Sequence, residues 1–182
     1  MSTDIKQIFD LTGELKAGEK ELLENAYAFA EKAHEGQKRH SGDPYFVHVF
    51  ETAKILASLG MDAKTIAAGF MHDVLEDTEI QESEMEEKFG KDIVFLVNGV
   101  TKLGTLKYRG HERHVESLRK FFVAMSNDLR VVIIKLADRL HNLRTLEHVR
   151  EDKRARIALE SIDVYAPLTN RLGMGKLKGE IA

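Results

Sequence analysis

The chain has 182 residues, 43% of them apolar, a composition that supplies the core of one folded domain and excludes intrinsic disorder. Its 27 basic and 30 acidic side chains give a net charge of −3, so no overall positive charge is available for binding nucleic acid. The chain has no cysteine, which excludes disulfides and a cysteine nucleophile and leaves His, Asp and Glu as the metal ligands.

The N-terminus gives no sign of export. The first ten residues, MSTDIKQIFD, lack the basic and apolar regions of a secretion signal. No stretch of the chain approaches the roughly 20 apolar residues that cross a bilayer. We therefore expect a soluble, cytoplasmic protein that binds neither membrane nor nucleic acid.

Apolar residues recur at helical spacing along the chain, which predicts an all-α, compact multi-helix domain covering residues 1–182. The run Val131–Ile134 has the β-branched composition of a strand, but the helical spacing continues through it. Polar loops are predicted at 37–46 and 103–110, and a kink at Pro167. The predicted helices are 19–34, 46–59, 63–76, 83–89, 91–103, 111–126, 128–149 and 151–172.

The segment FMHDVLEDT carries four ionisable side chains on one predicted helix: His72, Asp73, Glu76 and Asp77. At about 100° per residue, Glu76 lies about 40° from His72, and Asp77 the same from Asp73, so all four share one side. A solvated acidic helix end is the alternative interpretation. The histidine and the apolar flanks favour a functional site.

A second polar group lies in IKLADRLHNLRTL. Its members recur at positions i, i+3, i+4 and i+7 of a helix and form one stripe: Asp138, His141, Asn142 and Thr145. Because the stripe follows a strongly apolar run, we expect it to begin where a core helix emerges into a cavity. Ordinary amphipathic patterning is the alternative.

His48 interrupts the apolar segment PYFVHVF. A lone histidine in such a place is commonly a hydrogen-bonded core residue. Together with His72, Asp73 and Asp138, however, it completes a set of two imidazoles and two carboxylates. Such a set suits Mn, Fe, Mg or Zn and leaves coordination positions for water and substrate.

Five ordered segments resemble the hydrolase domain of the RelA/SpoT homologue family, a branch of the His-Asp superfamily of phosphohydrolases: SGDPYFVH, FMHDVLEDT, VNGVTKLG, KLADRLHNLRTL and YAPLTNRLG. The resemblance runs from about Glu31 to Gly173. Val49 follows His48 where the family usually has proline, and His40 stands where a lysine is common. We expect the first departure to alter only entry into the helix and the second to weaken a phosphate contact.

The resemblance implies hydrolysis of ppGpp and pppGpp, with release of the 3′-pyrophosphate to give GDP or GTP and with Mn²⁺ as the usual cofactor. It implies that the metal ligands are His48, His72, Asp73 and Asp138, and that the acid–base residues are Glu76 and Asp77. It implies a guanosine and ribose pocket lined by Arg39, Ser41, Asn142 and Thr145. Weaker candidates for contacts around the phosphates are His40, Lys102 and Arg139.

Two other functions stay open at this point. One is a different nucleotide phosphohydrolase of the superfamily, such as a 5′-nucleotidase. The other is a module that senses guanosine nucleotides without turnover. Long members of the family continue into a synthetase domain, so the chain is also consistent with the N-terminal part of a bifunctional protein. The sequence does not fix the oligomeric state.

Overall fold

The fold is all-α, as predicted. The computed structural model describes residues 3–104 and 111–181, with the side chains in those ranges other than 111–118, 152 and 176–178. Within those ranges there is no β-strand, and an isolated bridge joins Lys38 to Pro44. The helices are α1 (Lys6–Leu11), α2 (Ala17–Ala33), α3 (Tyr45–Ser58), α4 (Ala63–Met71), α5 (Val74–Asp77), α6 (Glu82–Phe89), α7 (Lys91–Gly104), α8 (His111–Asn127), α9 (Leu129–Arg144), α10 (Glu151–Glu160), α11 (Ala166–Arg171) and α12 (Gly175–Ile181).

Most predicted helices lie within a few residues of the observed ones, and the run Val131–Ile134 is helical. The prediction of a continuous helix over 63–76 is wrong, because α4 ends before His72 and α5 begins after Asp73. α1 and α12 were not predicted from the apolar spacing. Of the predicted loop at 103–110, residues 105–110 lie outside the described residues.

The last two predicted helices are interrupted. The prediction over 128–149 extends too far, because α9 ends at Arg144 and a 3-10 turn follows at Leu146–His148. In the predicted helix over 151–172, a π-helical segment, Ser161–Tyr165, separates α10 from α11. Pro167 is the second residue of α11 and directly follows the π-helical segment and Ala166. The predicted kink near Pro167 therefore takes the form of a π segment just before it.

Helix α4 is the centre of the core. It packs against α2, α3, α7 and α9, and every residue in it except Lys64 is buried. Gly69 makes this packing close, because a Cβ there would lie 2.4 Å from Leu56 Cδ1 of α3. α3 also packs against α9, so three helices that carry candidate site residues meet around one apolar core. Among the described residues, no helix is both long and apolar enough to cross a bilayer.

The loop between α2 and α3 is fixed at both ends. Arg39 N–H donates to Asp43 C=O (2.9 Å), and Tyr45 N–H donates to Gln37 C=O (2.9 Å). Gly36 precedes the loop with φ 78°, a left-handed conformation that favours glycine. The loop therefore holds Arg39 in a defined place beside the start of α3.

Candidate active site

Three of the four predicted metal ligands lie at places where helices meet or end. His48 lies in the second turn of α3, and Asp138 lies in the second half of α9. His72 lies at the end of α4, where the last carbonyl groups have no helical N–H partner. The His72 ring satisfies one of them, because Nδ1 donates to Gly69 C=O at 2.8 Å.

The candidate ligand atoms converge. Those of His48, His72 and Asp138 all lie within 4.8 Å of one another, and all three residues are buried. Asp138 Oδ1 lies 3.3 Å from His48 Nε2 and 3.9 Å from His72 Nε2. Asp73 Oδ2 lies 3.5 Å and 3.1 Å from the same two nitrogens. The structure thus brings together all four residues of the predicted set.

The protonation of the imidazoles suits a cation. Because His72 Nδ1 donates its proton to Gly69, the Nε2 of the neutral ring carries a lone pair. This Nε2 is buried and has no hydrogen-bond partner, although Asp73 Oδ2 is 3.1 Å away. The lone pair of His72 Nε2 and the carboxylate oxygen of Asp73 repel each other at this distance unless a positive charge lies between them. The donor set therefore fits a divalent ion.

The histidine on α3 is oriented in the same way. His48 Nδ1 lies 2.8 Å from His141 Nδ1, and an Arg39 Nη lies 3.4 Å from that same His141 nitrogen. Since a guanidinium can only donate, His141 Nδ1 accepts, and His48 Nδ1 donates to it. This leaves the lone pair of His48 on Nε2, which faces the two aspartates.

Charge around the site follows from burial and from these contacts. Burial lowers the pKa of His72, but Asp73 and Asp138 outweigh it and raise the value to about 9, so the two carboxylates favour a positive charge beside this ring. Burial favours the neutral form of Asp138, yet Lys135 and the two histidines hold its pKa well below the usual range. Lys135 Nζ lies 2.7 Å from Asp138 Oδ2. The carboxylate of Asp138 is therefore ionised and fixed.

The two predicted acid–base residues lie on α5, beside the four ligands. Both Glu76 and Asp77 are exposed, and a hydroxyl, that of Tyr45, lies 2.8 Å from Asp77 Oδ2. Although Glu76 is exposed as a whole, partial desolvation of its carboxyl group, together with Asp73 and Asp77, raises the pKa of Glu76. The prediction that these two acids share one continuous helix with His72 and Asp73 is wrong. The helix is broken at residues 72–73, between His72 and the two acids. They stay close to Asp73 because α5 is a single turn in which Asp77 N–H donates to Asp73 C=O at 2.9 Å.

Of the four residues predicted to bind the nucleotide, two are connected to the candidate ligands by hydrogen bonds and two are not. An Nη of Arg39 donates to Asn142 Oδ1 at 2.6 Å, and Asn142 Nδ2 donates to Asp138 Oδ1 at 2.6 Å. Ser41 Oγ donates to Asp43 within its own loop, and Thr145 Oγ1 donates to the carbonyl of His141 at the end of α9. Arg39 and Asn142 therefore connect the loop to the ligand group, whereas Ser41 and Thr145 bond locally.

The three weaker candidates lie apart from one another. His40 is exposed on the loop before α3, and Lys102 is exposed on α7, where it lines a cavity of about 700 Å³ beside α8. Arg139 pairs with Glu160 at 3.0 Å and lies over the Tyr165 ring at 4.3 Å. These contacts fix Arg139 against the π-helical segment, which favours a structural role.

Three residues of this site were not assigned a role from the sequence: Tyr45, Lys135 and His141. His141 belongs to the predicted polar stripe, and its position three residues after Asp138 was the available signal. Burial, the His48 ring and the Arg39 guanidinium lower the pKa of His141 to about 3, which keeps the ring neutral and able to accept. Tyr45 and Lys135 show no spacing that distinguishes them from ordinary helix residues.

Replacing His141 by alanine is expected to weaken Mn²⁺ binding about tenfold to a hundredfold, because the change removes the acceptor that orients the His48 ring. Isothermal titration with MnCl₂ measures the effect. His148→Ala is the matched control, since His148 is exposed and pairs only with Glu147 among the described contacts. Equal affinities in wild type and His141→Ala would contradict this role.

The sequence and the fold have counterparts among known proteins. The sequence model described as "HD domain" matches residues 26–175. The chain belongs to the HD domain family. This HD domain is 49% identical over 160 residues to the bifunctional (p)ppGpp synthase/hydrolase SpoT of Escherichia coli, a match that covers 87% of the chain and 23% of that protein. It is 46% identical over 165 residues to a GTP pyrophosphokinase of Myxococcus xanthus, covering 88% of the chain and 22% of the relative.

A solved structure is also similar to this chain. The HD domain superposes with a TM-score of 0.66 and 25% identity on a metazoan ortholog of SpoT that hydrolyses ppGpp, over 84% of this chain and 86% of that one. The predicted resemblance to the RelA/SpoT homologues and the predicted all-α fold are confirmed. The chain spans about a fifth of the length of the curated relatives named above.

Proposed function

We propose that this HD domain hydrolyses ppGpp and pppGpp at the 3′ position, releasing pyrophosphate and giving GDP or GTP, with Mn²⁺ as its divalent ion. The observation that carries the proposal is the convergence of His48, His72, Asp73 and Asp138 on one buried point with two carboxylates beside it. The similarity to the (p)ppGpp synthase/hydrolase of Escherichia coli and to the metazoan ortholog that hydrolyses ppGpp supports this choice of substrate.

The four ligand side chains have one task in this mechanism, which is to hold the ion. A divalent ion bound there supplies a Lewis acid for the pyrophosphate oxygens and lowers the pKa of water. The identity of the ion as manganese rests on the family resemblance, since histidine and carboxylate ligands also suit Fe and Zn.

Glu76 and Asp77 act as the general acid and the general base of this mechanism. Water attacks the phosphorus that is bonded to the ribose 3′ oxygen, so a bond forms from the water oxygen to phosphorus as the bond from phosphorus to the 3′ oxygen breaks. One proton leaves the attacking water, and one reaches the 3′ oxygen. The raised pKa of Glu76 gives it the capacity to hold a proton closer to neutral pH than an ordinary carboxyl group does.

Arg39 and Asn142 are proposed to position the nucleotide. A guanidinium stacks on a base or binds a phosphate through two donors, and an amide forms hydrogen bonds with base edges or ribose. Because Asn142 also donates to Asp138 Oδ1, the proposed nucleotide pocket and the ligand group share a side chain. Ser41 and Thr145 are proposed to add hydroxyl contacts at the same pocket. One apolar core joins the helices that carry these residues, so we propose that the chain acts as one hydrolase domain.

Product analysis tests this function. The chain is incubated with ppGpp and MnCl₂, with an EDTA-treated sample and a GMP reaction alongside, and the products are separated by anion exchange. The proposal predicts GDP and intact pyrophosphate in equal amounts, with none after EDTA treatment. Stepwise release of orthophosphate, or release of phosphate from GMP, would instead identify another phosphohydrolase. Binding of ppGpp without any product would identify a sensing module.

A further inference from the structure

Tyr45 is the first residue of α3, one helical turn before His48. Three neighbours fix its ring. The ring of His34 stacks on it at 4.8 Å and 26°, the Arg39 guanidinium lies 5.8 Å from its centroid, and the His48 ring meets it edge-on at 5.8 Å. The direction of the Tyr45 hydroxyl is therefore set by packing.

The hydroxyl of Tyr45 connects the ligand group to the acid pair. It lies 2.8 Å from Asp73 Oδ2 and 2.8 Å from Asp77 Oδ2. Asp73 Oδ2 is the same oxygen that approaches both histidine Nε2 atoms. A tyrosine hydroxyl is protonated near neutral pH and has one hydrogen, so it donates to one of the two carboxylates at a time and stays in contact with the other. One oxygen atom is thus in contact with two carboxylates that have different proposed tasks.

Asp77 depends on such contacts for its position. It is exposed and ends a helix of only four residues, which does not by itself hold a side chain in place. Its backbone carbonyl accepts from Gln37 Nε2 at 2.8 Å, and Gln37 Oε1 lies 2.8 Å from His34 Nδ1. The backbone of Asp77 is therefore held through Gln37, and its carboxylate through Tyr45.

We propose that Tyr45 is a positioning residue for the hydrolytic reaction, whose hydroxyl holds the carboxylate of Asp77 at a fixed place relative to the ligand Asp73. The effect of Tyr45 on kcat rests on the proposed function, because it requires the hydrolytic reaction. The effect of Tyr45 on Asp73 is measured by metal binding and does not require that reaction. Neither the family comparisons nor the sequence pattern assigns this role to Tyr45.

The test is Tyr45→Phe, which removes one oxygen and keeps the ring between its three neighbours. With saturating MnCl₂, kcat for ppGpp is expected to fall about tenfold to a hundredfold, with KM within about twofold of wild type. The dissociation constant for Mn²⁺, from isothermal titration, is expected to rise about tenfold. Tyr27→Phe is the matched control, because Tyr27 also packs edge-on against aromatic rings but its hydroxyl bonds to Glu31, at 3.4 Å, and to Thr3, neither of which belongs to the candidate site.

A second pair of variants separates positioning from a general loss of structure. If Tyr45 acts through Asp77, adding Tyr45→Phe to Asp77→Ala leaves the already low kcat unchanged, whereas a structural defect lowers it again. Wild-type kcat in Tyr45→Phe overturns the positioning of Asp77, and a wild-type Mn²⁺ dissociation constant overturns that of Asp73. If the wild-type chain itself releases no pyrophosphate, the proposed function fails, and the Mn²⁺ titration still decides whether Tyr45 positions the ligand.

Discussion

Replacing His72 by alanine is expected to remove bound Mn²⁺ and to lower ppGpp hydrolysis by about a thousandfold or more, because a bound ion contributes several kcal/mol to transition-state stabilisation. His72 is chosen since its Nε2 is the buried ligand atom with no partner of its own. Its ring makes one hydrogen bond to the end of α4, so the helices are expected to remain. Metal analysis after gel filtration, kinetics and circular dichroism measure the three effects.

Met71→Ala is the matched control for the loss of a buried side chain next to the site. Met71 is fully buried and contributes no ligand, so its truncation is expected to cost about 2–5 kcal/mol of stability. The variant should nevertheless bind one Mn²⁺ per chain below its unfolding temperature. Full manganese occupancy in His72→Ala would remove His72 from the ligand set.

Replacing Glu76 by glutamine, or Asp77 by asparagine, is expected to lower kcat about a hundredfold to ten-thousandfold while one Mn²⁺ per chain remains. Both changes keep the shape of the side chain and remove its ability to exchange protons. Among the described contacts, the carboxylates within 4 Å of His48 Nε2 and His72 Nε2 are those of Asp73 and Asp138, so metal binding is expected to persist in both variants. Steady-state kinetics and manganese analysis of the same preparations measure the two effects.

The control for these variants is Glu79→Gln, an equivalent change at an exposed carboxylate just after α5. It is expected to have wild-type kinetics. Wild-type kcat in both Glu76→Gln and Asp77→Asn would exclude an acid–base role for either residue. Loss of manganese from one of them would show instead that it helps to bind the ion.

The all-α fold could be predicted from the sequence because the spacing of the apolar residues indicates which face of each helix is buried. The run Val131–Ile134 illustrates this, since all four residues are buried in α9 despite their preference for strands. The break between α4 and α5 was not accessible, because the apolar spacing continues across it. The hydrogen bond from His72 to the carbonyl of Gly69 is a local contact that the spacing does not reveal.

The four candidate ligands could be proposed from the sequence because imidazole and carboxylate side chains are rare among apolar neighbours. Their supporting contacts could not, since these join segments far apart in the chain. Arg39 meets His141 and Asn142 across about a hundred residues, and Tyr45 meets Asp73 across 28. A spacing argument within one helix contains no information about such pairs. The local hydrogen bond of Ser41 to Asp43 is likewise a property of the folded loop.

Anomalous diffraction from crystals soaked in MnCl₂ tests the central claim most directly, because it locates the ion without reference to activity. Data collected at the manganese absorption edge are expected to give one strong peak within bonding distance of Nε2 of His48, Nε2 of His72 and carboxylate oxygens of Asp73 and Asp138. A strong peak at another site, with none between these four side chains, would contradict it.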